Sequence, residues 1–188
     1  MSQFEYIMVM VSLILALAVA QALRGLSEVV TSEKRYTPHT VWIAYFALLI
    51  IQNWWAYWDY NNVEEWRFTT YLFVLFSPIM MFASVHLLVP TARTSDIDWR
   101  EHLSRVTPWV GGLGVVTVAT SIAANVIYFD SPLLHLYRIF QALIGALYLA
   151  AIFTKNEKLR SAIPYLLLLT LITSQLVIRS KIGALIAN

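Results

Sequence analysis

Six apolar runs occupy almost all of this 188-residue chain, at residues 4–26, 40–60, 68–89, 108–129, 133–154 and 162–178. A hydrocarbon core of roughly 30 Å takes about 20 helical residues to cross, and in lipid a backbone must satisfy its own polar groups. Each run is close to that length, and the connections are too short to hold a soluble domain. The expectation is a single transmembrane domain over residues 1–188, all-α, with six transmembrane helices. Hydrophobic residues are 59% of the chain and charged residues 13%, against about 45–50% and 25% in soluble domains, which leaves too little polar surface to solvate a globule.

The first run ends in small residues that resemble a signal-peptide cleavage site, at Ala18-Val19-Ala20 and Ala20-Gln21-Ala22. Residues Met1 to Tyr6 have no Lys or Arg and carry Glu5, where a signal peptide is basic, so the helix is expected to be retained. Lys and Arg favour cytoplasmic loops. Nine of them fall after spans one, three and five, against Arg67, Arg138, Arg179 and Lys181 on the other side, which predicts both termini outside. The 13 basic residues are scattered and the net charge is +2, leaving no electrostatic footprint for nucleic acid. With no cysteine, disulfides and thiolate chemistry are excluded.

Trp54, Trp55, Tyr57, Trp58, Tyr60 and Trp66 crowd the expected outer boundary, and Trp42, Trp99 and Trp109 the inner one, as aromatic belts do. Asp59 beside these rings allows a cation–π site, although belt anchoring explains most of the cluster. The 91–107 connection predicts a short interfacial helix, capped at Ser95 and Asp98, with Trp99, Leu103 and Val106 along one face. Small residues at one-turn spacing (Ala16/Ala20, Ala18/Ala22, Ala119/Ala123, Ala142/Ala146/Ala150) predict packing seams, and with them a homo-oligomer. Pro78 in mid-span predicts a kink. Pro90, Pro108 and Pro132 fall at expected helix ends. Three spans plus three allow an inverted repeat, although the halves share no motif.

Polar side chains in lipid are costly and turn toward other helices or water. On the predicted orientation the outer half holds Gln52, Asn53 and Asp59 of span two, Asn125 of span four, His135, Arg138 and Gln141 of span five, and Gln175 of span six. Helical spacing puts His135, Arg138 and Gln141 on one stripe, and Gln52, Ala56 and Asp59 on another. Arg138 needs an anion, with Asp59 the first choice of partner and Glu5 the second. The eight residues form the candidate ligand- or ion-binding site. The four histidines are too dispersed for a metal or haem, and no HExxH, GxSxG or phosphate loop occurs, so no cofactor and no catalysis are expected.

The stretches Leu15-Ala16-Leu17-Ala18, Gln21-Ala22-Leu23-Arg24-Gly25-Leu26, Trp54-Trp55-Ala56-Tyr57-Trp58 and Leu87-Leu88-Val89-Pro90 resemble uncharacterised bacterial multi-span membrane proteins. The resemblance implies an inner-membrane location and assigns no activity. Two functions fit the polar cluster: a homo-oligomeric channel or small-solute transporter with an outward-facing vestibule, or a non-transporting sensor, scaffold or accessory subunit holding a lipid, quinone or partner helix.

Overall fold

A computed structural model describes residues 2–63, 65–90, 97–129 and 136–177. Among these the chain is all-helical: α1 (Gln3–Thr31), α2 (Thr37–Ala56), α3 (Phe68–Leu88), α4 (Trp99–Tyr128), α5 (Leu136–Phe153) and α6 (Glu157–Val177), with a 3₁₀ segment, Tyr57–Asn62, continuing α2. Four of them, α1, α3, α4 and α6, are long and apolar enough to cross a membrane. The shortfall in α2 has a chemical origin, because His39, Gln52 and Asn53 lie within it.

Local signals set the ends. Ser2 and Glu5 close a reciprocal capping box at the start of α1, meeting two of the amide donors a helix start leaves open. Asp98 caps α4 by accepting from the Arg100 and Glu101 amides, and the Asn156 side chain does the same for Lys158 and Leu159 of α6.

Packing closes α2, α3, α4, α5 and α6 into a ring, α2 on α3, α3 on α4, α4 on α5, α5 on α6 and α6 back on α2, while α1 lies outside against α2 and α3. The buried stripe of α1 is Ile7, Val11, Leu15, Ala18, Ala22, Gly25 and Val29, the three-and-four spacing of one helix face. Ala18 and Ala22 therefore form a seam within the protomer. Ala16, Ala20, Ala119, Ala142 and Ala146 are exposed. The two three-helix halves pack differently, since α1 lies on α3 whereas α4 and α6 have no comparable contact, so the pairings do not repeat.

Two expectations change. Residues 99–107 are not a separate interfacial helix but the first turns of α4, which runs unbroken through Pro108. Trp99, Leu103 and Val106 do share a face, and it is buried in protein; an amphipathic stripe reads alike whether it meets lipid or helices. Ser95 lies outside the described residues. Trp42 and Trp99, expected in a belt, are both 0% exposed, whereas Trp54, Trp55, Trp58 and Trp109 are exposed as a belt requires.

The end of α3 is held by three helices. Its terminal carbonyls have no helical partner, and His102 of α4 bonds to Leu87 O at 3.0 Å, His39 of α2 to Leu88 O at 3.0 Å, and Gln21 of α1 to Val89 O at 2.7 Å. Gly25 admits Val89 beside it, since a Cβ there would stand 2.2 Å from Val89 Cγ2. Two stretches far apart in the sequence, Gln21 to Gly25 and Leu87 to Val89, thus meet as a packing joint.

Candidate functional site

Inside the ring lies a cavity of about 110 Å³, lined by all five ring helices and the 3₁₀ segment and by no residue of α1. Of the eight candidate residues, Gln52, Asn53, Asp59, Asn125, Gln141 and Gln175 line it. Asp59, Asn125 and Gln141 are deeply buried, at 4%, 3% and 5% exposure, while Gln52, Asn53 and Gln175 are half-buried. Arg138 is not among the lining residues, and its Nη1 donates to Gln141 Oε1, which is on the lining, at 2.8 Å. Gln141 Nε2 in turn donates to Ser121 Oγ at 3.0 Å, so a guanidinium, an amide and a hydroxyl tie α5 to α4. Glu5, the second choice as partner for Arg138, holds the start of α1 through Ser2. His135 lies outside the described residues.

The 3₁₀ segment places the aromatic end of the cavity. Tyr57 and Tyr60 stack at 5.5 Å, and Tyr60 meets Phe129 edge-on at 4.9 Å. Tyr57 Oη donates to Val74 O at 2.7 Å. Val74 is four residues before Pro78, the residue whose missing N–H would otherwise have met that carbonyl. The tyrosine therefore repairs the gap in α3 that proline opens.

At the other end Tyr45 and Tyr148 share one hydrogen bond of 2.8 Å, hydroxyl to hydroxyl. Tyr148 is seated tightly, since a Cβ at Gly114 would stand 2.4 Å from its ring and one at Gly111 2.9 Å from its carbonyl. Trp42 stacks beneath, 6.2 Å from Tyr148 and 6.0 Å from Phe46. Beyond it the buried side chains are almost all apolar, among them Ile43, Val85, Leu88, Ile163 and Leu167. Ser84 spends its hydroxyl on Met80 O, and His86 is exposed. Thr107 and Thr170 likewise donate to Leu103 and Leu166 carbonyls, and the cavity lining does not reach His39.

The tyrosines were missed as site residues. Tyr45, Gln52 and Asp59 recur every seventh position, as do Gln141 and Tyr148, so extending each polar stripe by two turns finds them. Ser121, one turn before Asn125, follows from the same spacing.

Away from the cavity, His39 precedes the apolar run that begins at residue 40. Burial is the main cause that pushes its imidazole from 6.5 down to about 4, and His102 adds repulsion, while the bond to Leu88 O opposes both. His39 and His102 lie 5.8 Å apart, and His39 and Trp99 4.8 Å apart. Among the described residues no group of three metal-ligating side chains converges.

No family model, no curated protein and no solved structure matches this chain.

Proposed function

We propose that this protein is a six-span membrane protein that binds a small polar solute in its ring cavity without conducting it. In this reading α2 and α5 also cross the membrane; excess positive charge turns the His39 end toward the cytoplasm of a bacterial cell, with the Asp59 end outside. The observation that carries the proposal is the one-ended polarity of the cavity. Amides, hydroxyls and a carboxylate line it as far as the Tyr45–Tyr148 pair, and a permeation path needs polar groups through both leaflets. At about 110 Å³ the cavity has room for a small solute. The glycine-built seat of Tyr148 favours a fixed floor over a moving gate. A sensor or accessory subunit needs no more than this.

A carrier is the second reading, and Pro78 favours it: Val74 and Ser77, just before the proline, line the cavity, and a wall could bend there. In either case a homo-oligomer would meet through outward small-residue faces such as Ala16/Ala20 or Ala142/Ala146.

Stopped-flow light scattering on proteoliposomes separates the readings. Glycerol, urea and potassium salts are expected to cross no faster than in empty liposomes. Wild-type flux that rises further in Tyr148→Ala would overturn the non-conducting reading and support the carrier.

A further inference from the structure

A second recess, of about 170 Å³, lies at the His39 end of the molecule, where the first turns of α4 and α6 meet Tyr36, the residue before α2. Four charged residues line it: Arg100, Glu101, Glu157 and Arg160. Both carboxylates are matched, Glu157 to Arg100 within the lining and Glu101 to Arg105 outside it. Asp98, which is not on the lining, accepts from the first amides of α4. Arg160 is different. Its Nη1 donates to Ser104 Oγ at 2.5 Å and its Nη2 to Thr154 O at 3.3 Å, so among the described residues its charge meets neutral oxygens alone. A guanidinium has five N–H donors and no acceptor, and these two bonds leave three donors over. Ser104 Oγ accepts from Arg160, and among the described residues its own proton has no acceptor. The half-buried Arg160 and the exposed Ser104 therefore present one positive charge and unused donors to the same recess.

We infer that this recess binds a phosphodiester, the headgroup phosphate of a membrane phospholipid, between Arg160 and the Ser104 hydroxyl. Depth supports the lipid as its source. Ser104 stands about one turn before the apolar run 108–129, and Arg160 two residues before the run 162–178. Both α4 and α6 are long and apolar enough to cross a membrane, and Trp109, 71% exposed at the start of the first run, carries the ring that prefers the headgroup level. At that level phosphate is the abundant anion, and basic pockets between spanning helices receive it. The chemistry also matches, because a guanidinium fork suits phosphate oxygens and the single charge of a phosphodiester balances the one arginine without a carboxylate. A lipid seated here would brace α4 against α6, two helices that are not neighbours in the ring. The recess shares no residue with the ring cavity and does not depend on solute binding there, and either leaflet would supply the phosphate, whichever way the chain is oriented.

Native mass spectrometry of the full-length protein, delipidated in the phosphate-free detergent dodecyl maltoside, decides the matter with three probes: dioleoylphosphatidylglycerol, dioleoylglycerol and glycerol 3-phosphate. Wild type is expected to retain one phosphatidylglycerol tightly, and neither of the other two at the same concentration. Arg160→Gln is expected to weaken retention roughly tenfold or more, the scale of a lost hydrogen bond to a charged group, while Arg67→Gln, an exposed arginine at the opposite end, leaves it unchanged. Arg160 also holds the turn between α5 and α6 through Thr154, so Ser104→Glu provides a second variant. It gives Arg160 a carboxylate from within the protein at an exposed position, and is expected to abolish retention with no fall in melting temperature. Equal retention of dioleoylglycerol, or no retained lipid in wild type, would overturn the phosphate site. Glycerol 3-phosphate binding as tightly as the lipid would overturn the membrane as source and assign the site to a soluble phosphate ester. Undiminished retention in Ser104→Glu, or an equal loss in Arg67→Gln, would overturn the placement at Arg160.

Discussion

Tyr57 Oη lies 2.7 Å from the Val74 carbonyl, the acceptor that Pro78, four residues on, leaves without a helical donor. A helix broken in lipid must find its hydrogen bonds elsewhere, and here the donor comes from the 3₁₀ segment that also presents Asp59 and Tyr60 to the cavity. One bond thus meets the carbonyl that proline strands in α3 and fixes the aromatic end of the chamber.

Tyr57→Phe is expected to destabilise the protein by about 1–3 kcal/mol, because it strands a buried carbonyl. In a Pro78→Ala background the helix supplies its own amide, and the same change is expected to cost much less. Thermal unfolding of the four proteins of this double-mutant cycle in detergent reads the coupling; additive effects would show that the two residues act independently.

Gly114→Ala and Gly112→Ala are expected to differ sharply. At Gly114 the added methyl would meet the Tyr148 ring at 2.4 Å, while at Gly112 there is nothing within 4 Å. The first is expected to lower stability by about 1–3 kcal/mol through overpacking, and the second to be neutral or slightly stabilising through helix propensity. Unfolding curves for the pair check this, and equal effects would mean that Tyr148 does not sit in that slot.

Gly25→Ala is expected to be destabilising by a similar mechanism, since its Cβ would lie 2.2 Å from Val89 Cγ2. Val89→Ala clears that space. The double variant is expected to recover part of the loss, and a double variant no better than Gly25→Ala would place the strain elsewhere.

Acid should weaken the joint at the end of α3. His39 is held near 4 in the folded protein against 6.5 in the unfolded chain, so the unfolded chain takes up the proton first. Its contribution is intact above pH 6.5 and is lost as pH falls toward 4, at up to about 1.4 kcal/mol per pH unit for a single group. Unfolding of wild type and His39→Gln between pH 7 and pH 4.5 measures it. The variant is expected to lose the part of the slope that His39 supplies; equal slopes would count against this account.

Helix positions were legible because apolar length is a local property, and six helices appear close to the six runs. What a face turns toward is not local. Trp42 and Trp99 carry the amphipathic rings of a belt yet sit at 0% exposure, and the stripe of Trp99, Leu103 and Val106 gave no sign that helices rather than headgroups would cover it. The polar cluster was legible for an energetic reason: Gln52, Asn53, Asp59, Asn125, Gln141 and Gln175 have no tolerable place in lipid, so they turn toward one interior. Tyr45 and Tyr148 carry no such signal, since a tyrosine is at home in lipid, at its boundary or in a core. Arg138 was read onto the same stripe as Gln141, and its guanidinium bonds to that residue; spacing along a helix does not say how far a long side chain extends.

The position of α1 outside the ring has its own consequence. No part of it borders the chamber, and it is bound to the rest through α2 and α3. Fusions, labels or partner proteins attached along its greasy outer surface should leave solute recognition untouched, so that this helix is the natural handle by which the molecule can be held while its interior is interrogated.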